Sequence, residues 1–248
     1  MIAYAHNGHS DKFGIPRQSR DESPIQTRIV FEPEYRVAES LRGLDGFSHL
    51  WLLWGFSENE RKKEKGESGD WSPTVRPPRL GGNTRMGVFA TRSPFRPNPI
   101  GLSSVRLVAI ENGDLIVSGA DLMDGTPIYD IKPYLSFCDS HEDAVNGFAE
   151  ATKDYQLKVD WGDFADEWCP QQGVHSRDCL GVHRSFIGHS SDISPLAFRK
   201  ELEYILSQDP RPAYQDDPER EYKLDYGGWR VVFKVEKSTI FVKNLEKI

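Results

Sequence analysis

Cysteine is scarce: Cys138, Cys169 and Cys179 are the only three among 248 residues. An odd, sparse set argues against a disulfide framework and fits a reducing cytoplasm. No apolar run approaches the ~20 residues that span a bilayer, and the mean hydropathy is −0.58, so no membrane span is expected. Met1 to His6 lack the charged-then-apolar order of a secretory signal. Also missing are a Walker A loop, a Gly-x-Gly-x-x-Gly turn, a Gly-x-Ser-x-Gly elbow and a His-Glu-x-x-His pair. Their absence removes the common mononucleotide, dinucleotide, serine-hydrolase and zinc-protease sites. A net charge of −7 excludes a protein that coats nucleic acid through bulk charge.

The charge that is present is unevenly placed. Trp71 to Ile110 holds six arginines (Arg76, Arg79, Arg85, Arg92, Arg96, Arg106), no lysine and no acid, so it carries +6 against −13 elsewhere. The same window holds six of the sixteen prolines. Arginine's planar fork binds phosphate bidentately and stacks on bases, which lysine cannot do. The other reading is a basic face paired with acids elsewhere. Thr91 to Gly101 is a proline-locked loop that would present Arg92 and Arg96 in fixed directions around Phe95. That suits a phosphate-bearing or nucleobase-bearing ligand; alternatively, either arginine braces loop carbonyls.

Asp121, Asp124 and Asp130 form a counter-charged segment. They could be metal ligands, general bases or binders of a cationic group. Equally, Asp124-Gly125 is a turn and Asp121 a turn cap. Cys169, His175, Cys179 and His183 offer the donors of a tetrahedral zinc site but lack the close ligand pairs of ordinary zinc modules. They read better as loop cysteines and surface histidines, and no metal is expected.

Short strands dominate. They are expected at Ile29–Phe31, Phe47–Phe56 (buried on both faces), Met86–Ala90, Leu102–Ile110, Leu115–Ala120, Thr126–Ile131, Tyr222–Leu224, Trp229–Val235 and Thr239–Val242. Asn112-Gly113 marks a hairpin. Asn7–Pro24 reads as an extended loop and Glu58–Asp70 as a charged surface loop. A brief helix is expected after Pro33, and another after Ser194-Pro195, with Phe198, Leu202 and Ile205 on one stripe. The chain is therefore mainly β, with an N-terminal non-Rossmann β domain over residues 1–145 and a small α+β domain over 146–248.

Several ordered runs carry a resemblance: Phe13-Gly14-Ile15-Pro16-Arg17-Gln18, Leu44 to Trp51, Arg76 to Asn83, Arg85 to Gly101, Asp121 to Tyr134 and Asp209-Pro210-Arg211-Pro212-Ala213-Tyr214. Together they resemble the TsaA-like (TrmO) family of tRNA methyltransferases. The resemblance implies a β-barrel that binds S-adenosylmethionine without a Rossmann sheet. It implies a homodimer with the cofactor near the subunit interface. The implied reaction is N6-methylation of N6-threonylcarbamoyladenosine at position 37 of tRNA, beside the anticodon. The family's cofactor contacts fall here on Pro16, Arg17 and Gln18, on Arg92 and Leu102, and on Asp121, Leu122, Met123 and Asp124. A further contact falls on Ser57 and Glu58, where relatives often carry His and Gln. Arg76, Arg79, Arg85 and Arg96 would then face anticodon-loop phosphates. Asp130 or Tyr134, close in sequence to these contacts, could take the proton, and no catalytic residue is assigned. Competing readings are a non-catalytic RNA-binding barrel and a metal-dependent hydrolase.

Overall fold

The structure is a computed structural model that describes residues 1–56, 71–77, 80, 84–162, 164, 195–211 and 217–248. Its strands are β1 (Ala3–His6), β2 (Gln26–Phe31), β3 (His49–Gly55), β4 (Thr74–Val75), β5 (Met86–Gly87), β6 (Ile100–Glu111), β7 (Asp114–Ser118), β8 (Pro127–Pro133), β9 (Lys158–Asp160), β10 (Tyr222–Tyr226), β11 (Trp229–Glu236) and β12 (Thr239–Lys247). A closed antiparallel barrel runs β1–β2–β7–β6–β3–β8. Closure leaves no free edge for another strand to pair with. The β6–β7 turn has Asn112 at φ 51 and Gly113 at φ 80, the two positive values that the Asn-Gly pair was expected to accept.

Alternation along β3 turns Leu50, Leu52 and Trp54 into a core shared with Ile29, Val105, Leu115, Val117 and Ile128. Each such side chain contributes about 1.5–3 kcal/mol on burial. The expectation that this strand is buried on both faces is corrected: His49, Trp51 and Leu53 are only half covered. A barrel wall has one interior, and the outer residues find partial cover instead. Trp51 Nε1, for example, donates to Asp139 Oδ2 at 2.8 Å. Two other expectations also need correcting. The segment after Pro33 forms only a turn and then a short 3-10 turn, Ala38–Leu41, because Val37 is extended (φ −114, ψ 123) and interrupts the helical backbone. The expected strand Met86–Ala90 ends at Gly87. A 3-10 turn, Val88–Ala90, then sends Val88 inward (1% exposed) and Phe89 outward (72%).

The second sheet has the order β10–β11–β12–β9, with β9 parallel to β12. The α-helices α1 (Ser136–Asp139), a single turn, and α2 (Pro195–Ser207) accompany these strands. α2 lays Phe198, Leu202, Ile205 and Leu206 against Leu224, Val231, Phe233 and Ile240, as the stripe predicts. Ile25 is buried in the same cluster and Phe13 packs on it. The 7–25 segment is thus held between barrel and second sheet.

His9 sits in that seam, 4.9 Å from the Tyr226 ring, and neither ring nitrogen has a hydrogen-bond partner. Burial holds its pKa down at about 3. Between its ordinary 6.5 and 3 the unfolded chain takes a proton that the folded chain refuses, so stability falls as pH drops through that window. We expect a loss of at most about 3 kcal/mol between pH 7 and 4, and a flattened acid limb in His9→Leu. Urea titrations at stepped pH check this; parallel limbs for both proteins would refute it.

Candidate cofactor site

The chain leaves β7 and carries Asp121 to the barrel's end beside Ser103 of β6. Ser103 Oγ donates to Asp121 Oδ1 at 2.5 Å, and Trp54 Nε1 donates to Ser103 Oγ at 2.9 Å. Ser103 and Trp54 both face the barrel interior, so the carboxylate is referenced to the rigid core. Its carboxyl is largely shut off from water, and this burial raises its pKa. The Ser103 hydroxyl, backbone N–H groups of Asp121 and Ser19, and the charge of Arg92 all oppose the rise. Arg92 Nη1 donates to Gln18 Oε1 at 2.5 Å, and Gln18 Nε2 donates to the Arg17 carbonyl at 2.6 Å. Gln18, Arg92 and Asp121 therefore come together from three separate segments. A carboxylate and a guanidinium at one rim suit a ligand that carries both an ammonium and a carboxylate.

The other expected contacts have these surroundings. Pro16 is buried, and Arg17 turns its guanidinium into the seam, where Nη2 donates to the Arg211 carbonyl at 3.0 Å. Burial lowers the pKa of Arg17, and the charge of Asp209 counters this. Arg211 in turn donates twice to Asp209, at 2.8 and 3.1 Å, and Tyr155 Oη donates to Asp209 Oδ2 at 2.8 Å. The Asp209-Pro210-Arg211 run thus braces the loop that bears Gln18. Leu122 lies in the barrel core, with its carbonyl accepting from Asn7 Nδ2 at 2.9 Å. Met123 is half-buried, while exposed Asp124 contacts His6 Nδ1 and accepts from the Asn7 N–H, both at 3.2 Å. Leu102 occupies the opposite face of β6 from Ser103 and is 55% exposed. It forms an outer row with Leu53 and Asp130. Asp130 pairs with Lys132 Nζ at 2.8 Å, which, with the Ile131 N–H, holds its carboxyl below the ordinary range. Tyr134 packs against His49 and Trp51.

Within the arginine window the roles divide. Arg96 Nη1 donates to the carbonyls of Thr91 and Ser93 at 3.1 and 3.3 Å, bracing its own loop. Arg106 pairs with Asp21 through two nitrogens, Nε–Oδ1 at 2.8 Å and Nη2–Oδ2 at 2.5 Å, and His49 Nε2 lies 3.1 Å from the same carboxylate. Those partners hold the Asp21 carboxyl at about 2 and pin the segment bearing Gln18 to the barrel wall. Arg85 Nη1 donates to Thr74 Oγ1 at 2.6 Å, and Arg76 is exposed. Ser57, Glu58, Arg79, Cys169, His175, Cys179 and His183 lie outside the described residues. Among the described residues, no group of three or more His, Cys, Asp or Glu is placed to hold a metal. Sequence reading did not single out Ser103, Trp54 or Asp21. The available signal was a serine at an inward register of β6, flanked by Gly101 and Val105.

This closed barrel, with a carboxylate and a guanidinium at one rim beside an arginine window, occurs in a chain similar to methyltransferases that act on tRNA. Residues 4–140 match the model of the tRNA-methyltransferase O N-terminal domain, and residues 184–248 that of the TrmO C-terminal domain. The chain is 44% identical over 201 residues to the tRNA (adenine(37)-N6)-methyltransferase of Eikenella corrodens, covering 79% of this chain and 96% of that one. It is 39% identical over 222 residues to a Pseudomonas aeruginosa protein named, as a proposal, an S-adenosylmethionine-dependent methyltransferase, covering 89% and 85% of the two chains. The crystal structure of TrmO from Pseudomonas aeruginosa superposes with a TM-score of 0.69 at 30% identity, covering 100% of this chain and 95% of that one. The chain belongs to the tRNA-methyltransferase O family.

Proposed function

We propose that this chain transfers a methyl group from S-adenosylmethionine to N6 of adenine 37 in tRNA, with N6-threonylcarbamoyladenosine as the acceptor. The observation that carries the reading is the convergence of Gln18, Arg92 and Asp121 at the rim of a non-Rossmann barrel. When bound, the cofactor supplies an electrophilic methyl on a sulfonium, together with an amino acid and ribose hydroxyls. Asp121 would accept from the ammonium or a hydroxyl, and Arg92 would hold the carboxylate while fixing Gln18. Pro16, Arg17, Ser57, Glu58, Leu102, Leu122, Met123 and Asp124 are assigned to the cofactor by the family pattern. Arg17 acts through its backbone, since its guanidinium is held by the second domain.

Methyl transfer is accelerated mainly by alignment and exclusion of water. The acceptor nitrogen lies between a purine and a carbonyl, so its proton leaves easily and a weak acceptor suffices. Asp130 or Tyr134 would take the proton, the Lys132 pairing making Asp130 a weaker acceptor than a free carboxylate. Arg76, Arg79 and Arg85 would meet anticodon-loop phosphates, while Arg96 shapes the loop that aims Arg92. Ile100, Leu102 and Tyr129 are 52%, 55% and 44% exposed on strands that flank the same end of β3, apolar outer positions that support a homodimer. We place the domain division at 145/146 and the protein in the cytoplasm; no helix among the described residues is long and apolar enough to cross a membrane.

Titration calorimetry tests the cofactor reading. We expect S-adenosylmethionine to bind, and Arg92→Ala to weaken it about 10–150-fold, the effect of losing one hydrogen bond to a charged group. No heat at millimolar cofactor from the unsubstituted chain would end the methyltransferase reading and leave the non-catalytic RNA-binding barrel.

A further inference from the structure

The β4–β5 hairpin carries two features that the cofactor rim does not use. At one end, Trp71 and Phe89 stack with ring centroids 6.2 Å apart and planes 29° apart, yet both stay open to solvent, Trp71 at 40% and Phe89 at 72% exposed. Phe89 projects because Val88 beside it is buried (1% exposed) and the Val88 N–H donates to the Pro73 carbonyl at 2.9 Å. The hairpin therefore directs the ring outward. Its exposure follows from its geometry.

At the other end, the register pairs Thr74 with Gly87 and Val75 with Met86. The pairing ends there, and continuing its register by one step would set Arg76 opposite Arg85. The Arg85 Nη1 bond to Thr74 Oγ1 places Arg85 and Thr74 on one face. Like charges at facing positions destabilise a strand pair, and neither arginine forms an ion pair among the described residues. An anion between them would relieve the repulsion. An aromatic platform a few residues from two arginines has the chemistry of a nucleotide site: a base on the rings, a phosphate on the guanidiniums.

We propose that Trp71 and Phe89 form a stacking subsite for an unpaired nucleobase of the RNA substrate, with Arg76 and Arg85 on an adjoining phosphate. This rests on the tRNA reading above and deepens it. It assigns to the hairpin the base-splaying contact that RNA loops commonly require. A second copy of the chain is the less suitable occupant. A two-fold contact centred on this hairpin would set arginines against arginines inside a window of +6.

The test is filter binding of unfractionated tRNA at several salt concentrations, with steady-state methylation alongside, for Phe89→Ala, Phe89→Leu, Phe89→Tyr and Arg76→Ala. Phe89→Ala should raise the Kd for tRNA about 5–150-fold, the effect of losing one stacked base. The slope of log Kd against log salt should stay unchanged, as should the KM for S-adenosylmethionine. Phe89→Tyr should keep affinity, and Phe89→Leu should lose it, since a leucine has no π face. Arg76→Ala should instead flatten the salt slope by about 0.7–0.9. Three results overturn the subsite while leaving the proposed function intact, provided the unsubstituted chain methylates tRNA: Phe89→Ala binding normally, Phe89→Leu restoring full affinity, or Phe89→Ala dissociating a dimer in sedimentation without weakening tRNA. An unsubstituted chain that neither binds nor methylates tRNA overturns both.

Discussion

Gly101→Ala is expected to destabilise the barrel and weaken cofactor binding together. The added methyl would lie 2.2 Å from Trp54 Cε2 and 2.3 Å from Cζ2. Gly101 and Trp54 are register partners across β6 and β3, and Trp54 is only 7% exposed. The indole also packs against Phe56, 4.3 Å between centroids, so it has no cheap way to move aside. Overpacking of this kind costs about 1–3 kcal/mol and sometimes more. Any shift of the ring also withdraws Nε1 from Ser103 and frees the hydroxyl that orients Asp121. Thermal unfolding and calorimetry with S-adenosylmethionine read the two effects separately. Adding Trp54→Phe should restore part of the stability by removing ring volume, but not the affinity, because phenylalanine has no N–H to donate. A Gly101→Ala protein matching the unsubstituted one in both measurements would break the proposed link between core and rim.

Asp121→Asn should have the opposite sign in the two measurements. Burial raises the pKa of Asp121, so the folded state holds this proton more tightly than the unfolded chain. The stabilisation from that proton is complete below the ordinary value of 3.8 and is lost as pH rises through the folded pKa. At neutral pH the buried charge is a liability that an amide removes, while the amide oxygen still accepts from Ser103. The variant should be at least as stable as the parent at pH 7, with the gain disappearing below about pH 4. Cofactor affinity should fall about 10–150-fold with the loss of a charged acceptor. Denaturant titrations at both pH values and calorimetry check the pair. A destabilised variant that binds normally would make Asp121 a structural residue.

Local chemistry made much of the fold readable before any coordinates. The Asn112-Gly113 hairpin, the helix behind Ser194-Pro195 and the alternating C-terminal strands follow from φ preferences, end signals and periodicity, and the structure has them. Where reading went astray, the deciding fact was nonlocal. The run from Phe47 to Phe56 is apolar enough for a strand buried twice over, and only barrel closure shows that one of its faces looks outward. Met86–Ala90 reads as one strand until the partner, β4, proves to be two residues long.

The site divides in the same way. Arg92 and Asp121 drew notice through charge and loop chemistry. Gln18 became a candidate only through family resemblance, since nothing local marks a glutamine that waits for an arginine 74 positions away. The roles of Arg96 and Arg106, one bracing its loop and the other pairing with Asp21, needed coordinates. So did the link from Trp54 through Ser103 to Asp121, which joins residues far apart in sequence across the barrel interior.

The central claim is tested most directly by mass spectrometry of tRNA nucleosides after incubation of the chain with S-adenosylmethionine. Two substrates are needed, tRNA bearing the threonylcarbamoyl group on adenine 37 and the same tRNA without it. The account predicts one new nucleoside, threonylcarbamoyladenosine with an added N6-methyl, formed only from the first tRNA and strongly reduced with Arg92→Ala. Equal methylation of the unmodified adenine would contradict the acceptor assignment. No methylated nucleoside from either tRNA would contradict the proposed activity itself.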